Sequence, residues 1–224
     1  MEKWMENLII AIDGPAGAGK STISKLVSKR LDINYLDTGA MYRAITYKCI
    51  EEGININNEE EVIKICESSD VDFRNNQIYL DGKNIDIEIR RQEVSSNVSN
   101  VAKIKKVREL LVARQREIAS ESDAILDGRD VGTCIFPDAR YKFFLSASAQ
   151  ERGRRRYEEL KSKGEDVDLD NIIEDIKKRD KIDSTREVSP LIKAEDAIEI
   201  DSTSMSINEV VDYIIDAVES DKIR

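Results

Sequence analysis

Not one of the chain's 224 residues is histidine. That absence removes Ser-His-Asp triads, Cys-His dyads and H-E-x-x-H zinc sites together. Any catalysis must run without imidazole. Phosphoryl transfer meets that condition, because it relies mainly on positioning and charge. Cysteine is scarce as well. Cys49, Cys66 and Cys134 stand far apart and form no C-x-x-C pair, so neither a zinc cage nor a redox dithiol is indicated. They read as small buried hydrophobes in a reducing compartment. Long hydrophobic runs are missing too. Leu8 to Ile12 is too short for a membrane span or the core of a secretion signal, and it runs into Asp13-Gly14. Basic residues are outnumbered, 35 against 45, for a net charge of −10. That balance suits poorly a protein that coats a polyphosphate backbone. The expectation is a cytoplasmic protein with no nucleic-acid partner and no membrane partner. Repeats, low-complexity tracts and coiled-coil heptads are also lacking, and a monomer is expected.

What is present begins with Gly14-Pro15-Ala16-Gly17-Ala18-Gly19-Lys20-Ser21, followed by Thr22. These residues fit the phosphate-binding loop pattern G-x-x-x-x-G-K-[ST] without a mismatch. An apolar β-type run, Leu8 to Ile12, leads in, and a helical pattern follows with Ile23, Leu26, Val27 and Leu31 on one face. Strand, glycine turn and helix start direct backbone N–H groups and a helix dipole at an anion. Lys20 would reach the β- and γ-phosphates of a nucleotide, and Ser21 would offer its hydroxyl to Mg²⁺. The plainer alternative is a glycine-rich turn beside a chance lysine, but strand and helix both stand where the motif needs them.

Further strands and helices alternate along the chain. Ile33 to Leu36 reads as a strand ending at Asp37, and a helix is expected over about 40–52, stopped by Gly53. A short helix is expected over 59–66. Residues 70–85 change character, with two β-like runs separated by Asn75-Asn76 and a second turn at Asp81-Gly82. Hairpins inside a parallel α/β chain suggest an insertion. A long helix from Ile104 should bury Val107, Leu111 and Ile118. Strands are expected at 124–126, 141–145 and 197–200, and helices at 150–163, 169–181 and 207–218. This alternation argues for an α/β fold, a doubly wound parallel sheet of about five strands that binds phosphates beyond its carboxyl edge.

Single arginines fall in predicted loops at strand ends: Arg43 after Asp37 to Tyr42, Arg129 after 124–126, and Arg186 in Asp183-Ser184-Thr185-Arg186. A planar guanidinium fork suits a dianionic phosphate. Each alone would more readily be a solvated or ion-paired arginine; three beside a phosphate loop shift the balance. No N-K-x-D guanine signature occurs. Asp127 ends an apolar strand, where it could orient Mg²⁺ through water or brace the loop around Arg129. Asp13 is equally ambiguous.

Four stretches in order, Gly14 to Thr22, Leu36 to Arg43, Asp127 to Thr133 and Thr185 to Leu191, resemble bacterial cytidylate kinases, members of the P-loop nucleoside monophosphate kinase family. Arg91 to Ser99 and Val107-Arg108 agree as well. Thr38 stands where that family often has serine, and Ser21 where some members have glycine. The resemblance implies transfer of the γ-phosphoryl of ATP to CMP or dCMP, assisted by Mg²⁺. It implies one domain over 1–224 with an inserted acceptor-binding subdomain at about 60–102 and a lid at about 150–168. Gly14 to Thr22 would bind ATP. Arg43, Arg129 and Arg186 would hold the acceptor phosphate, with Thr38 beside them. Ser99, Arg108 and Asp130 would read the cytosine edge, and Arg179 and Asp183 would meet the sugar. Lys20, Arg129, Arg186 and the lid arginines Arg152 and Arg156 would carry the chemistry. Arg152, Arg155 and Arg156 fall at i, i+3 and i+4 on one helix face. The alternatives are a solvated helix paired with Glu158 and Glu159, an Asp130 that pairs with a nearby arginine, and a Ser99 on a helix surface. A kinase of another small acceptor such as UMP, or a non-catalytic nucleotide sensor, are the competing functions.

Overall fold

The computed structural model describes residues 7–222 except Asn75. Strand β1 (Ile9–Asp13) is buried at every position, as is β6 (Ala124–Gly128). Runs with no polar face belong at the centre of a sheet covered on both sides. With β2 (Asn34–Asp37), β7 (Tyr141–Ser146) and β8 (Ile198–Asp201) they make a five-stranded sheet in the order β2-β6-β1-β7-β8. β1 runs parallel to β7 with Ile10 opposite Tyr141, and β7 parallel to β8 with Phe143 opposite Ile198. Helices connect the strands, giving the α/β class expected. β1 sits mid-sheet, so the chain leaves its carboxyl end beside a switch in strand order, where such sheets bind ligands.

The chain divides into two compact units. Among the described residues, the first holds Asn34–Ala124 with Asn7 and Leu8, and the second holds Ile9–Ile33 and the residues from Ile125 to Lys222. In the first unit, α2 (Thr38–Glu51) begins two residues earlier than expected. Asp37 caps it by accepting from the Ala40 N–H at 2.9 Å. After α3 (Glu59–Glu67) come three antiparallel strands, β3 (Val71–Arg74), β4 (Gln77–Leu80) and β5 (Lys83–Asn84). The β4–β5 turn has Asp81 at φ 50° and Gly82 at φ 78°, the backbone that Asp-Gly favours in a tight hairpin. In the expected Asn75-Asn76 turn, Asn76 has φ 61°, and Asn75 lies outside the described residues. Helix α4 (Gln92–Ala102) carries no strong sequence signal, because its serines and asparagines favour turns. It forms because Val94, Val98 and Val101 bury one stripe. Helix α5 (Lys105–Ala119) buries Val107 and Leu111 as expected, while Ile118 is only partly covered. Met41, Ile45, Ile78, Ile85 and Ile89 fill this unit's core, each contributing about 1.5–3 kcal/mol by leaving water.

In the second unit, α1 (Lys20–Leu31) buries Ile23 and Val27 but leaves Leu26 exposed. The covered stripe is Lys20, Ile23, Ser24, Val27 and Ser28, and Leu26 lies roughly 130° around the helix from its centre. Helix α6 (Ala149–Ser162) is capped by the Ser148 hydroxyl, which accepts from the Glu151 N–H. Helix α7 (Leu169–Thr185) runs past the expected stop at Lys181, since no glycine or proline intervenes before Pro190. Asp183 is therefore helical, not in a loop. Helix α8 (Ile207–Lys222) closes the chain. Among the described residues no helix is long and apolar enough to cross a membrane.

Candidate active site

The phosphate loop leaves β1 at Gly14, whose φ is 150°. A Cβ there would lie 2.0 Å from the carbonyl oxygen of Leu145 on β7, so only glycine fits. Gly17 and Gly19 also have positive φ, 76° and 93°. Gly19 is the helix cap, no side chain caps α1, and its first turn holds no acid. The first helical bond runs from the Ile23 N–H to the Gly19 carbonyl. The N–H groups of Lys20, Ser21 and Thr22 are thus the spare donors of a helix start, the feature that captures phosphate. Pro15, Ala16 and Ala18 complete the turn.

Lys20 is buried, and its ammonium donates to the Pro15 carbonyl at 2.8 Å. Burial, and then the nearby Arg129 guanidinium, pull its pKa well below the usual lysine range. An anion in the loop would oppose both effects by favouring the charged ammonium. The Ser21 hydroxyl donates to the Asp127 carboxylate at 3.0 Å. A hydroxyl and a carboxylate side by side at the loop are hard oxygen donors of the kind Mg²⁺ prefers, and Mg²⁺ takes few protein ligands beside phosphate and water. Among the described residues no group of three acids or cysteines could hold a metal alone. The pair therefore fits a metal brought in with a nucleotide.

Each expected acceptor arginine rests on a carboxylate. Arg129, just beyond β6, donates through Nε to Asp183 at 2.9 Å. Arg186, just after α7, donates to the Ser189 carbonyl at 2.6 Å and to Asp130 at 3.4 Å. That ion pair is the alternative the sequence left open for Asp130. In the first unit, Arg43 donates to Asp37 at 2.6 Å; it lies on α2 rather than in a loop. Thr38 is the first residue of α2 and is buried. Ser99 is buried on α4, against the helix-surface alternative. Arg108, on α5, is only 2% exposed. Its Nη1 donates to the Ala102 carbonyl at 3.1 Å, and its guanidinium lies 5.4 Å from the centre of the Tyr42 ring. Arg179 lies on α7, four residues before Asp183. The structure thus gathers the phosphate loop, Asp127, Arg129, Asp130, Arg152, Arg155, Arg156, Arg179, Asp183 and Arg186 in the second unit, and Thr38, Arg43, Ser99 and Arg108 in the first.

The three arginines of α6 part company. Arg152 is buried and donates once through each guanidinium nitrogen, to the carbonyls of Ala147 and Ala16 at 2.8 and 2.9 Å and to Asp180 at 2.7 Å. Its contact with Ala16 stacks the start of α6 onto the phosphate loop. Arg155 turns to Glu151 and to the Ser202 carbonyl. Arg156 pairs with Glu159 at 2.8 Å, as in the solvated-helix alternative. Sequence reasoning missed Asp37 and Asp180 as partners of Arg43 and Arg152. The Asp37 cap was legible as an Asp just before an apolar helix; nothing marked Asp180.

A glycine loop at the end of a central parallel strand, a buried lysine opening the next helix and a hydroxyl–carboxylate pair define a P-loop kinase-type nucleotide-binding protein. The cytidylate kinase family model matches residues 10–220. Cytidylate kinase from Clostridioides difficile (strain 630) is 61% identical over 96% of this chain and 99% of its own. That from Alkaliphilus oremlandii (strain OhILAs) is 56% identical over 94% of this chain and 97% of its own. An uncharacterized protein of known structure from Eubacterium ventriosum ATCC 27560 shares the fold, with a TM-score of 0.51 and 15% identity over 96% of this chain and 99% of that one. The chain belongs to the cytidylate kinase family.

Proposed function

We propose that the protein transfers the γ-phosphoryl group of ATP to CMP or dCMP, yielding ADP and CDP or dCDP. The intact phosphate loop with its buried Lys20 carries this reading, supported by relatives at 61% and 56% identity over nearly the whole chain. Residues Gly14 to Thr22 bind the ATP phosphates, and Lys20 spreads charge from the transferring group. Ser21, with Asp127 directly or through water, holds the Mg²⁺ that accompanies ATP; when bound, it offsets phosphate charge. Arg43, Arg129 and Arg186 receive the acceptor phosphate. Their partners Asp37, Asp183 and Asp130 hold the guanidiniums in place beforehand, which lowers the cost of ordering them.

No general base is required. The attacking oxygen belongs to a phosphate whose second pKa is about 6, so it is already ionised at neutral pH. Phosphoryl transfer then depends on alignment and charge, and a chain without histidine suffices. Ser99, Arg108 and Asp130 read the base: a carboxylate accepts from the cytosine amino group, while arginine and serine donate to its ring acceptors. Uracil would present an acceptor to that carboxylate. Arg179 and Asp183 meet the sugar, and Arg152 and Arg156 act from the lid over about 150–168. Residues 60–102 serve as the acceptor-binding insertion of one kinase domain. The protein acts as a cytoplasmic monomer. Coupled detection of ADP release with CMP, dCMP, UMP, AMP and GMP tests the reading. CMP and dCMP should be the preferred acceptors; preference for another acceptor, or ATP binding without transfer, would overturn it.

A further inference from the structure

Asp13 holds none of the roles above, yet it is among the most constrained side chains in the second unit. It ends β1, directly before Gly14, and is 5% exposed. Both carboxylate oxygens are engaged. Oδ1 accepts from the Val131 N–H and Oδ2 from the Gly132 N–H, each at 2.8 Å. Those amides open the short helical turn Val131–Ile135, immediately after Arg129 and Asp130. Two bonds to consecutive amides fix both the position and the tilt of the intervening peptide. The turn is packed from behind as well: a Cβ on Gly132 would lie 3.1 Å from Cδ of Lys142 and 3.5 Å from Oδ2 of Asp13.

The arrangement costs something. The charged groups acting on Asp13 are the like charge of Asp130 and the opposite charge of Lys20. Burial outweighs the two amide bonds and pushes its carboxyl up to about 6. A neutral side chain would avoid that cost but could not accept from both amides. The arrangement spends stability on geometry.

We infer that Asp13 is a positioning residue that ties the phosphate loop to the loop presenting Arg129 and Asp130, holding donor and acceptor loops in one register. This rests on the proposed function insofar as Arg129 and Asp130 face the acceptor. A positioning role, unlike a purely structural one, should place its burden on the acceptor. Asp13→Asn keeps one acceptor oxygen; Asp13→Ala keeps none. In steady-state assays with ATP and CMP, the CMP KM should rise on the order of tenfold in Asp13→Asn and up to a hundredfold in Asp13→Ala. The ATP dissociation constant, measured by calorimetry without acceptor, should change little. If Asp13→Ala does not fold, Asp13→Asn carries the test. An unchanged CMP KM, or equal losses for ATP and CMP, would overturn the inference. Hydrogen exchange over residues 129–135 needs no acceptor and separates this claim from the function. Exchange should quicken in both variants even if the wild type ignores CMP, and unchanged protection would refute the tie.

Discussion

Replacing Gly14 with alanine would place a methyl group 2.0 Å from the Leu145 carbonyl oxygen, where ordinary contact begins at 3.4 Å. The obstacle is backbone, not a side chain that can swing away. Leu145 lies in β7, which is paired with β1 on one side and β8 on the other, so a retreat of over an ångström would strain two strand pairings. Alanine would also have to adopt a φ of 150°, a region that costs a residue with a Cβ about 1–3 kcal/mol. Overpacking adds about 1–3 kcal/mol more. The expected loss is about 4 kcal/mol, or a melting temperature lower by roughly 10 °C in a chain of this length. Gly53→Ala is the control. Its φ is also positive, 70°, but nothing lies within 4 Å of the added methyl, so it should cost only about 1–2 kcal/mol. Urea and thermal unfolding followed by circular dichroism read both variants. If Gly14→Ala melts with Gly53→Ala, or within a degree or two of wild type, the reasoning about this close approach is wrong.

Three further outcomes follow from the same geometry. Lys20→Ala should lower kcat by about 10²–10³ while the melting temperature holds, and near-normal turnover in a coupled assay would remove lysine from the chemistry. Asp130→Ala should impair CMP use far more than ATP binding; equal losses measured by kinetics and calorimetry would assign Asp130 a structural role instead. The Asp13 carboxyl stands at about 6 in the fold against 3.8, so its contribution to stability is fully present below pH 3.8 and is lost as the pH rises through about 6. Between about pH 4 and pH 7 the wild type should lose about 2 kcal/mol relative to Asp13→Asn, and a pH-independent difference in urea midpoints would contradict this.

The central strands and the phosphate loop could be read from sequence because their signals are local. An unbroken apolar run, a glycine spacing and an Asp-Gly turn declare themselves within a few residues. Helix α4 did not, since its core stripe is three valines set among serines and asparagines, and only packing rescues such a segment. Leu26 was misplaced because an apolar residue in a helix is assumed to face inward, whereas here Ser24 and Ser28 take the covered side. At the candidate site, residue types were legible and partners were not. Asp13 meets amides 118 and 119 positions away, and Asp180 reaches Arg152 across 28. Contacts of that kind are set by topology, so one sequence offers no local sign of them. The ion pairs beneath Arg129 and Arg186 likewise emerge only once strand ends and helix ends are assembled.

Acceptor choice is the most direct test of function. Purified protein supplied with ATP and Mg²⁺ should release ADP fastest with CMP or dCMP, and more slowly with UMP, AMP or GMP. Brisk phosphorylation of another of these acceptors while CMP is left untouched would contradict it.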